Sequence, residues 1–397
     1  MERLAIEGGR PVRKEMPNID PVPSKSEIDA VASCLKEGYV SDFLGKKKVK
    51  EFEEKIASFT ELPYSTAFNS GTAALHVSLD LLGVGFKDQV IVPAYTWVTV
   101  ATTVLQQTAL PVFADISEDD FGINAGDLAS RINRHTKAII LCHLYGIGAE
   151  INEVRKIAKE SGIAVIEDCS QAFGVKIGKK HVGSFGDIGC FSFQLNKNIT
   201  SGEGGMLVTK NRRFWQESKI IRQGGKATRT SFSRIGYNYR MPDICAAIGI
   251  AQLSTFGKMN KKRIKNTKRY LKRLKGTGLK FPKKIDLDKG SYTKVPVLFP
   301  RELKEKRNRF VKTVLAENVP IEPGYSTPLY KIPYIRKKDF FGKRFQKAMR
   351  GMDYKKCFCQ TAEDACERTI NLISTHYLEE NVIDDACEAI KKVLNNL

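Results

Sequence analysis

The sequence predicts an α/β protein, with a large unit built on a central, mostly parallel sheet flanked by helices and a smaller C-terminal α+β unit after it. Two patterns and the length carry this expectation. From residue 64 short β-branched runs alternate with helix-type stretches, and near residue 186 the alternation gives way to strands with no long helix between them. The 397 residues also exceed what one core needs, since a typical domain has about 100–200 residues.

Residues 1 to about 20 read as an irregular arm, and four prolines (Pro11, Pro17, Pro21 and Pro23) fall in or just after it. Ser26-x-x-Asp29 is an imperfect capping pattern before an apolar helix, Ile28 to Leu35, and a second helix is expected from Val49 to Phe59. Strands are expected at Val90–Val92, Val112–Ala114, Ala138–Leu141 and Ala164–Ile166, interleaved with helices at Ala73–Leu82, Thr96–Gln106, Ala125–Ile132 and Glu150–Ser161. Further strands follow at Asp187–Phe193 and Gly205–Thr209, then helices at Arg212–Ile221 and from Pro242 to about Phe256. A very basic helix, Lys258 to Leu274, is expected to bridge to the second unit. That unit has a strand at Thr293–Leu298, a helix at Glu302–Glu317, a basic loop from Lys331 to Arg350 and a terminal helix at Asn381–Val393. The division is therefore an arm over 1–20, a large domain over 21–257 and a small domain over 258–397.

Composition narrows the function. No apolar run approaches the roughly 20 residues that span a bilayer, and Met1 to Lys14 has no signal-type apolar core. A cytoplasmic protein without a membrane partner is expected. The nine cysteines are odd in number and scattered along a long chain, unlike a disulfide framework. The tightest group, Cys357-x-Cys359 with Cys366, lacks the paired C-x-x-C spacing of a zinc site, so no metal is expected. The net charge is +21 and uneven: from residue 256 onward 34 Lys and Arg face 16 Asp and Glu, a balance of +18. Such a surface attracts nucleic acid non-specifically. No helix-turn-helix or zinc-finger pattern accompanies it, so a solvated lysine-rich surface is the preferred reading and specific nucleic-acid binding is not expected.

Four segments bear chemistry. Asn69-Ser-Gly-Thr-Ala-Ala-Leu sets small residues and a hydroxyl at the mouth of a helix. Free backbone N–H groups and the helix dipole suit that place to an anion such as phosphate, and Gly71 and Thr72 are the candidates; a plain cap is the alternative. Val165-Ile-Glu-Asp-Cys-Ser-Gln places Asp168 at the carboxyl end of an apolar strand, the edge where open α/β sheets bind ligands. A buried carboxylate there needs a cationic or hydrogen-bonding partner, or caps the next turn. Lys197 stands alone in an apolar, glycine-ended segment, whereas many surface lysines come in runs. A partly desolvated lysine has a lowered pKa and serves as a nucleophile or Schiff-base former. Ser192, five residues earlier, is a candidate to reach a phosphate. In Gly236-Tyr-Asn-Tyr-Arg-Met, Asn238 and Arg240 share a face of an extended stretch, for one site or for a structural turn.

In this order and spacing the segments resemble the DegT/DnrJ/EryC1/StrS family of pyridoxal-phosphate sugar aminotransferases, which have the aspartate aminotransferase-like fold of type I. The phrases PAYTWVT, HLYG, IEDCSQAFG, VGSFGDIGCFSF, KNITSGEGG and GYNYRM carry the resemblance, which extends over nearly the whole chain and is strongest between residues 64 and 255. It implies that the large unit binds pyridoxal 5'-phosphate. Lys197 would bond to the cofactor aldehyde and act as the catalytic acid/base. Asp168 would pair with the pyridine nitrogen, Gln171 approach the ring hydroxyl, Trp97 stack on the ring, and Gly71, Thr72 and Ser192 hold the phosphate. Asn238 would reach the phosphate of a neighbouring subunit and Arg240 an acidic substrate group, so the resemblance implies a homodimer with shared sites.

Gln194 follows Phe193 where many sugar-nucleotide members carry histidine. With the arm LAIEGGRPVR and the segment GYSTPLYKIP, it resembles the branch acting on keto-cyclitols such as scyllo-inosose or making aminohydroxybenzoate. Cys169 and Ser170 replace more usual residues of similar size. The implied reaction moves an amino group from glutamate or glutamine to a keto sugar, nucleotide-linked or not, or to a keto-cyclitol, with Gln194 and Arg240 at the substrate. Dehydratase relatives carry histidine in place of the lysine, so Lys197 favours amino transfer.

Overall fold

The structure is a computed structural model that describes residues 2–41, 47–228, 230–338 and 353–397. After helices α1 (Lys25–Lys36) and α2 (Lys48–Thr60), strands and helices alternate as β1 (Tyr64–Phe68), α3 (Gly71–Leu81), β2 (Gln89–Pro93), α4 (Thr99–Gln106), β3 (Leu110–Ala114), α5 (Ala125–Arg131), β4 (Thr136–Cys142), α6 (Ile151–Glu160) and β5 (Ala164–Asp168). A small hairpin, β6 (Lys176–Ile177) with β7 (Lys180–His181), precedes β8 (Ile188–Ser192) and β9 (Gly205–Thr209), and α7 (Arg212–Arg222) follows. Seven of these strands form one sheet in the order β1-β9-β8-β5-β4-β2-β3. Only β9 runs against its neighbours, pairing antiparallel with both β1 and β8.

The sheet is covered on both faces, which is why its strands read as apolar runs rather than alternating ones. Along β4, Ala138, Ile140 and Cys142 join one core, while Ile139 and Leu141 join another with Val154 and Ala158 of α6. Successive side chains of a strand point to opposite faces, so a single apolar run supplies two cores.

One helix, α8 (Asp243–Arg273, 31 residues), leads to a three-stranded antiparallel sheet of order β10-β12-β11. Its strands are β10 (Lys294–Leu298), β11 (Ile321–Pro323) and β12 (Thr369–Ile373). Helices α9 (Arg307–Ala316), α10 (Pro333–Lys337), α11 (Gln360–Arg368) and α12 (Glu380–Leu394) complete the chain.

The structure confirms the α/β class and corrects several elements. The helices expected at 242–256 and 258–274 are one helix, because no proline or exposed glycine pair interrupts them and Gln252, Phe256, Met259 and Arg263 form a continuous buried stripe. The first helix starts earlier than the Ser26 pattern implied: Glu27 reaches back to the Ser24 N–H at 2.8 Å. Helix α4 starts at Thr99, leaving Thr96 and Trp97 in the preceding loop. The segment expected as helix from Glu302 opens with a 3-10 turn before α9. Strand β12, buried along its whole length at the centre of the small sheet, was not foreseen. The loop expected over 331–350 lies mostly outside the described residues, and its described start contains α10.

The arm is pinned to the far end of the chain. Glu317, fully buried, accepts the Ala5 N–H at 2.9 Å and the Val12 N–H at 3.0 Å and pairs with Lys392 at 3.0 Å. Arg13 meets Asp385 at 2.5 Å.

Candidate active site

The carboxyl ends of β1, β2, β4, β5 and β8 surround one cavity of about 550 Å³, closed on the other side by Thr293, Lys294, Glu322, Tyr325 and Asn371. Eight of the ten residues singled out in the sequence line it: Gly71, Thr72, Trp97, Asp168, Gln171, Ser192, Gln194 and Lys197.

The anion cradle comes from three elements pressed together. Ser70 caps α3, its Oγ accepting the Ala73 N–H at 3.1 Å, so the capping reading holds for Ser70 and the mouth of the helix falls to Gly71 and Thr72. A Cβ on Gly71 would lie 2.8 Å from the Ser192 Cβ, and one on Gly205 would lie 2.2 Å from the Ser70 carbonyl oxygen. Only glycine lets β8 and β9 approach the helix end this closely. Backbone N–H groups, a helix dipole and the Ser192 hydroxyl therefore converge on one spot.

Strand β5 ends in two acids facing opposite ways. Asp168, 8% exposed, looks into the cavity; its Oδ1 accepts the Ser170 N–H at 3.0 Å and the Cys142 thiol donates to Oδ2 at 3.8 Å. Glu167, fully buried, accepts the Phe185 and Gly186 N–H groups at 2.7 Å each and the Gly183 N–H at 2.8 Å. His143 Nε2 meets it at 2.9 Å while His143 Nδ1 accepts the Ala149 N–H at 3.0 Å, which fixes the proton on Nε2. Burial pushes the Glu167 carboxyl up, but the His143 bond and the backbone amides outweigh it and hold the carboxyl below its ordinary value. Glu167 thereby fastens the 183–186 turn to β5 and fixes the strand end that presents Asp168.

Lys197 lies in the turn after β8, where its N–H bonds to the Gln194 carbonyl at 3.0 Å. Its side chain is surrounded by protein, and its remaining exposure is to the cavity. Desolvation lowers its pKa, with Asp168 and Glu203 opposing and Lys294 reinforcing the shift. Gln171 is held at both ends of its amide: Oε1 accepts the Tyr145 N–H at 3.1 Å and Nε2 donates to the Tyr325 hydroxyl at 2.9 Å. Trp97 is 57% exposed at the mouth, its ring 6.3 Å from that of Tyr325.

Asn238 and Arg240 do not line this cavity. Asn238 is exposed on the outer side of the β1–α3 turn, its carbonyl accepting from Asn69 Nδ2 at 3.5 Å. Sequence reasoning missed Tyr145, Lys294, Glu322, Tyr325 and Asn371. Tyr145 has a φ of 57°, a backbone strain that no motif announces. Tyr325 sits inside GYSTPLYKIP, a segment already notable in the sequence, but nothing tied it to Gln171. His143, Glu167 and Cys169 come within 4.8 Å of one another, yet the Glu167 oxygens and His143 Nδ1 are already engaged as above, so this trio is a structural clasp.

Comparison with known proteins follows the same lines. Residues 22–391 match the model of the DegT/DnrJ/EryC1/StrS aminotransferase family. The chain is 31% identical to a GDP-perosamine synthase of Vibrio cholerae over 388 residues, covering 96% of this chain and 99% of that protein. It is 35% identical over 231 residues to an L-glutamine:2-deoxy-scyllo-inosose aminotransferase of Streptomyces kanamyceticus, covering 57% of this chain and 54% of the other. In fold it is similar to the Helicobacter pylori aminotransferase PseC, with a TM-score of 0.87 at 24% identity over 97% of this chain and 100% of that one.

Proposed function

The chain belongs to the DegT/DnrJ/EryC1/StrS aminotransferase family, and we propose from that premise that it transfers an amino group from glutamate or glutamine to a nucleotide-linked keto sugar, using pyridoxal 5'-phosphate. The observation that carries this is the cavity itself: a desolvated Lys197 amine and the Asp168 carboxylate share it with an anion cradle at the start of α3. The residues fit the cofactor. Gly71, Thr72 and Ser192 suit its phosphate, Asp168 a protonated ring nitrogen, Gln171 Nε2 the ring hydroxyl and Trp97 a ring face.

When bound, the cofactor supplies an aldehyde that captures amines and a ring that accepts electrons. The chain's own part is proton movement and placement. Lys197 Nζ, its pKa lowered by desolvation, is placed to take a proton from the α-carbon of the donor and return one when the keto acceptor is aminated. Asp168, shielded from water, holds its charge partner in place. The tyrosine-clamped Gln171 keeps its amide aimed at one position.

The full-length likeness to the GDP-perosamine synthase supports a nucleotide-linked sugar as acceptor. Gln194, on the cavity wall, supports a keto-cyclitol as the second reading. A homodimer is part of the proposal: Asn238 and Arg240 lie outside their own cavity, and Phe232 and Ile235 nearby are 70% and 80% exposed. So is the division into an arm, a domain over 21–257 and one over 258–397, the last boundary falling within α8. A cytoplasmic location is also part of the proposal; no described helix is long and apolar enough to cross a membrane.

The test is a panel of amino donors and keto acceptors, followed by the absorbance of the bound cofactor. Donor alone should convert the aldehyde-type absorbance, acceptor should restore it, and Lys197→Ala should lose both signals. Full turnover by Lys197→Ala would end the proposal.

A further inference from the structure

The described lining of the cavity carries two cations, Lys197 and Lys294, and three carboxylates, Asp168, Glu203 and Glu322. His143 also reaches it, but is tied to Glu167. Lys197 is committed to the chemistry and Asp168 to the cofactor. Lys294 and Glu322, on the opposite wall, have no task in that scheme.

The small sheet sets these two together. Lys294 of β10 lies beside Ile373, and Glu322 of β11 lies beside Asn371. Ile373 and Asn371 are two residues apart on β12, and side chains at that spacing share a face with their cross-strand partners. The two charges therefore rise from the outer strands on one face and form an ion pair across the central strand. Among the described residues it is the only ion pair of either one; Asp20, on the wall of a smaller adjoining cavity, makes none with Lys294.

The two side chains are 33% and 40% exposed. An ion pair at that exposure holds weakly, so either partner exchanges readily for another group of the same sign. Lys294 is turned toward the chemistry: its charge, with those of Asp168 and Glu203, acts on the Lys197 amine. The proposed reaction gives this cavity two unlike visitors. The donor is an amino acid and brings a carboxylate, whereas the sugar or cyclitol ring of the acceptor is uncharged where it reaches Lys197. A site that serves both in turn needs a cation for the first and none for the second.

We propose that the Lys294–Glu322 ion pair is an exchangeable carboxylate site: a carboxylate of the amino donor displaces Glu322 from Lys294, and Glu322 returns to cover the cation while the acceptor ring occupies the cavity. The inference rests on the aminotransferase reading and adds which residues of this chain sort the two substrates.

The cofactor-loaded protein is titrated calorimetrically with glutarate, a dicarboxylate without an amine, and then assayed with glutamate, with glutamine and with the acceptor that the substrate panel identifies. The two neutral variants should err in opposite directions. Lys294→Gln should weaken glutarate binding and raise the donor KM about tenfold or more, with the acceptor KM unchanged. Glu322→Gln removes the competitor, so glutarate should bind more tightly and the donor KM should fall. Lys294→Gln should also move the pH profile of the donor half-reaction upward, since it takes a cation away from Lys197. A pair that only held β10 and β11 in place would shift donor binding the same way in both variants, and that result overturns the proposal. So does a Lys294→Gln variant in which the acceptor KM rises instead, because the cation would then belong to a phosphate of the acceptor. If Lys294→Gln fails to fold, Glu322→Gln still decides, since only an exchangeable partner leaves donor binding tighter when its charge is removed. Intact amino transfer with a donor KM indifferent to both positions removes this inference alone, whereas absence of transfer from every donor removes its parent as well.

Discussion

Replacing Glu167 with glutamine leaves the shape of the side chain and removes its charge. In the native protein Oε1 accepts two backbone N–H groups, while Oε2 accepts one more and faces His143 Nε2–H. The glutamine amide has one acceptor oxygen, so one pair of donors would face an N–H₂ group instead. Each lost bond to a buried charge contributes about 1.5–3 kcal/mol, so two lost bonds cost about 3–6 kcal/mol. That is a large share of a total stability of about 5–15 kcal/mol. The sign with pH follows from the direction of the shift. The folded carboxyl is held below its ordinary value, so its contribution is fully present above the unfolded glutamate pKa of about 4.3 and disappears as pH falls through the lower, folded value. Urea denaturation followed by circular dichroism should show the full gap between wild type and Glu167→Gln at pH 7, narrowing in acid below about pH 4. A gap under about 1 kcal/mol at pH 7, the scale of a neutral surface change, or one that does not narrow in acid, refutes the clasp.

Three other outcomes follow from the geometry. The rate of the donor half-reaction should rise with pH and level off below the ordinary lysine pKa of about 10.4, because desolvation lowers the pKa of Lys197; stopped-flow absorbance across pH reads it. Gly205→Ala would set a Cβ 2.2 Å from the Ser70 oxygen, displace the start of α3 and weaken cofactor binding by about tenfold, roughly 1.4 kcal/mol, measured by equilibrium titration with pyridoxal phosphate. Glu27→Ala should cost roughly 1–2 kcal/mol, since Glu27 accepts the Ser24 N–H at 2.8 Å and Gln252 Nε2 at 2.8 Å; urea midpoints measure it.

The sheet was legible because most of its buried strands leave a short apolar run, whereas β1 (YSTAF) leaves none and was not expected; most of the cavity residues follow the carboxyl ends of these strands. Gly71, Asp168 and Lys197 line the cavity from the ends of β1 and β5 and the turn after β8, while their roles rest on the family resemblance. What the sequence hid depends on distant partners. Strand β12 is an ordinary apolar stretch until β10 and β11 pair with it from either side. Tyr325 and Glu322 enter the site because β11 is the edge of a second sheet, and only that packing brings Gln171 within 2.9 Å of the Tyr325 hydroxyl. The basic half also misled in scale. Lys262, Lys265, Arg269 and Arg273 of α8 pair with Glu379, Glu380, Asp384 and Glu388 on or beside α12, so much of the helix's charge is spent inside the molecule. Periodicity shows that a face is charged, not what lies opposite it.

Glu317 makes the two ends of the polypeptide mechanically interdependent. Clipping the first dozen residues would take away two of the donors that quiet this carboxylate and leave it to Lys392 alone, so damage at the amino terminus would register as loosening of the last helix. Anyone grafting a purification handle or trimming the first residues for crystals is, in effect, editing the opposite terminus too.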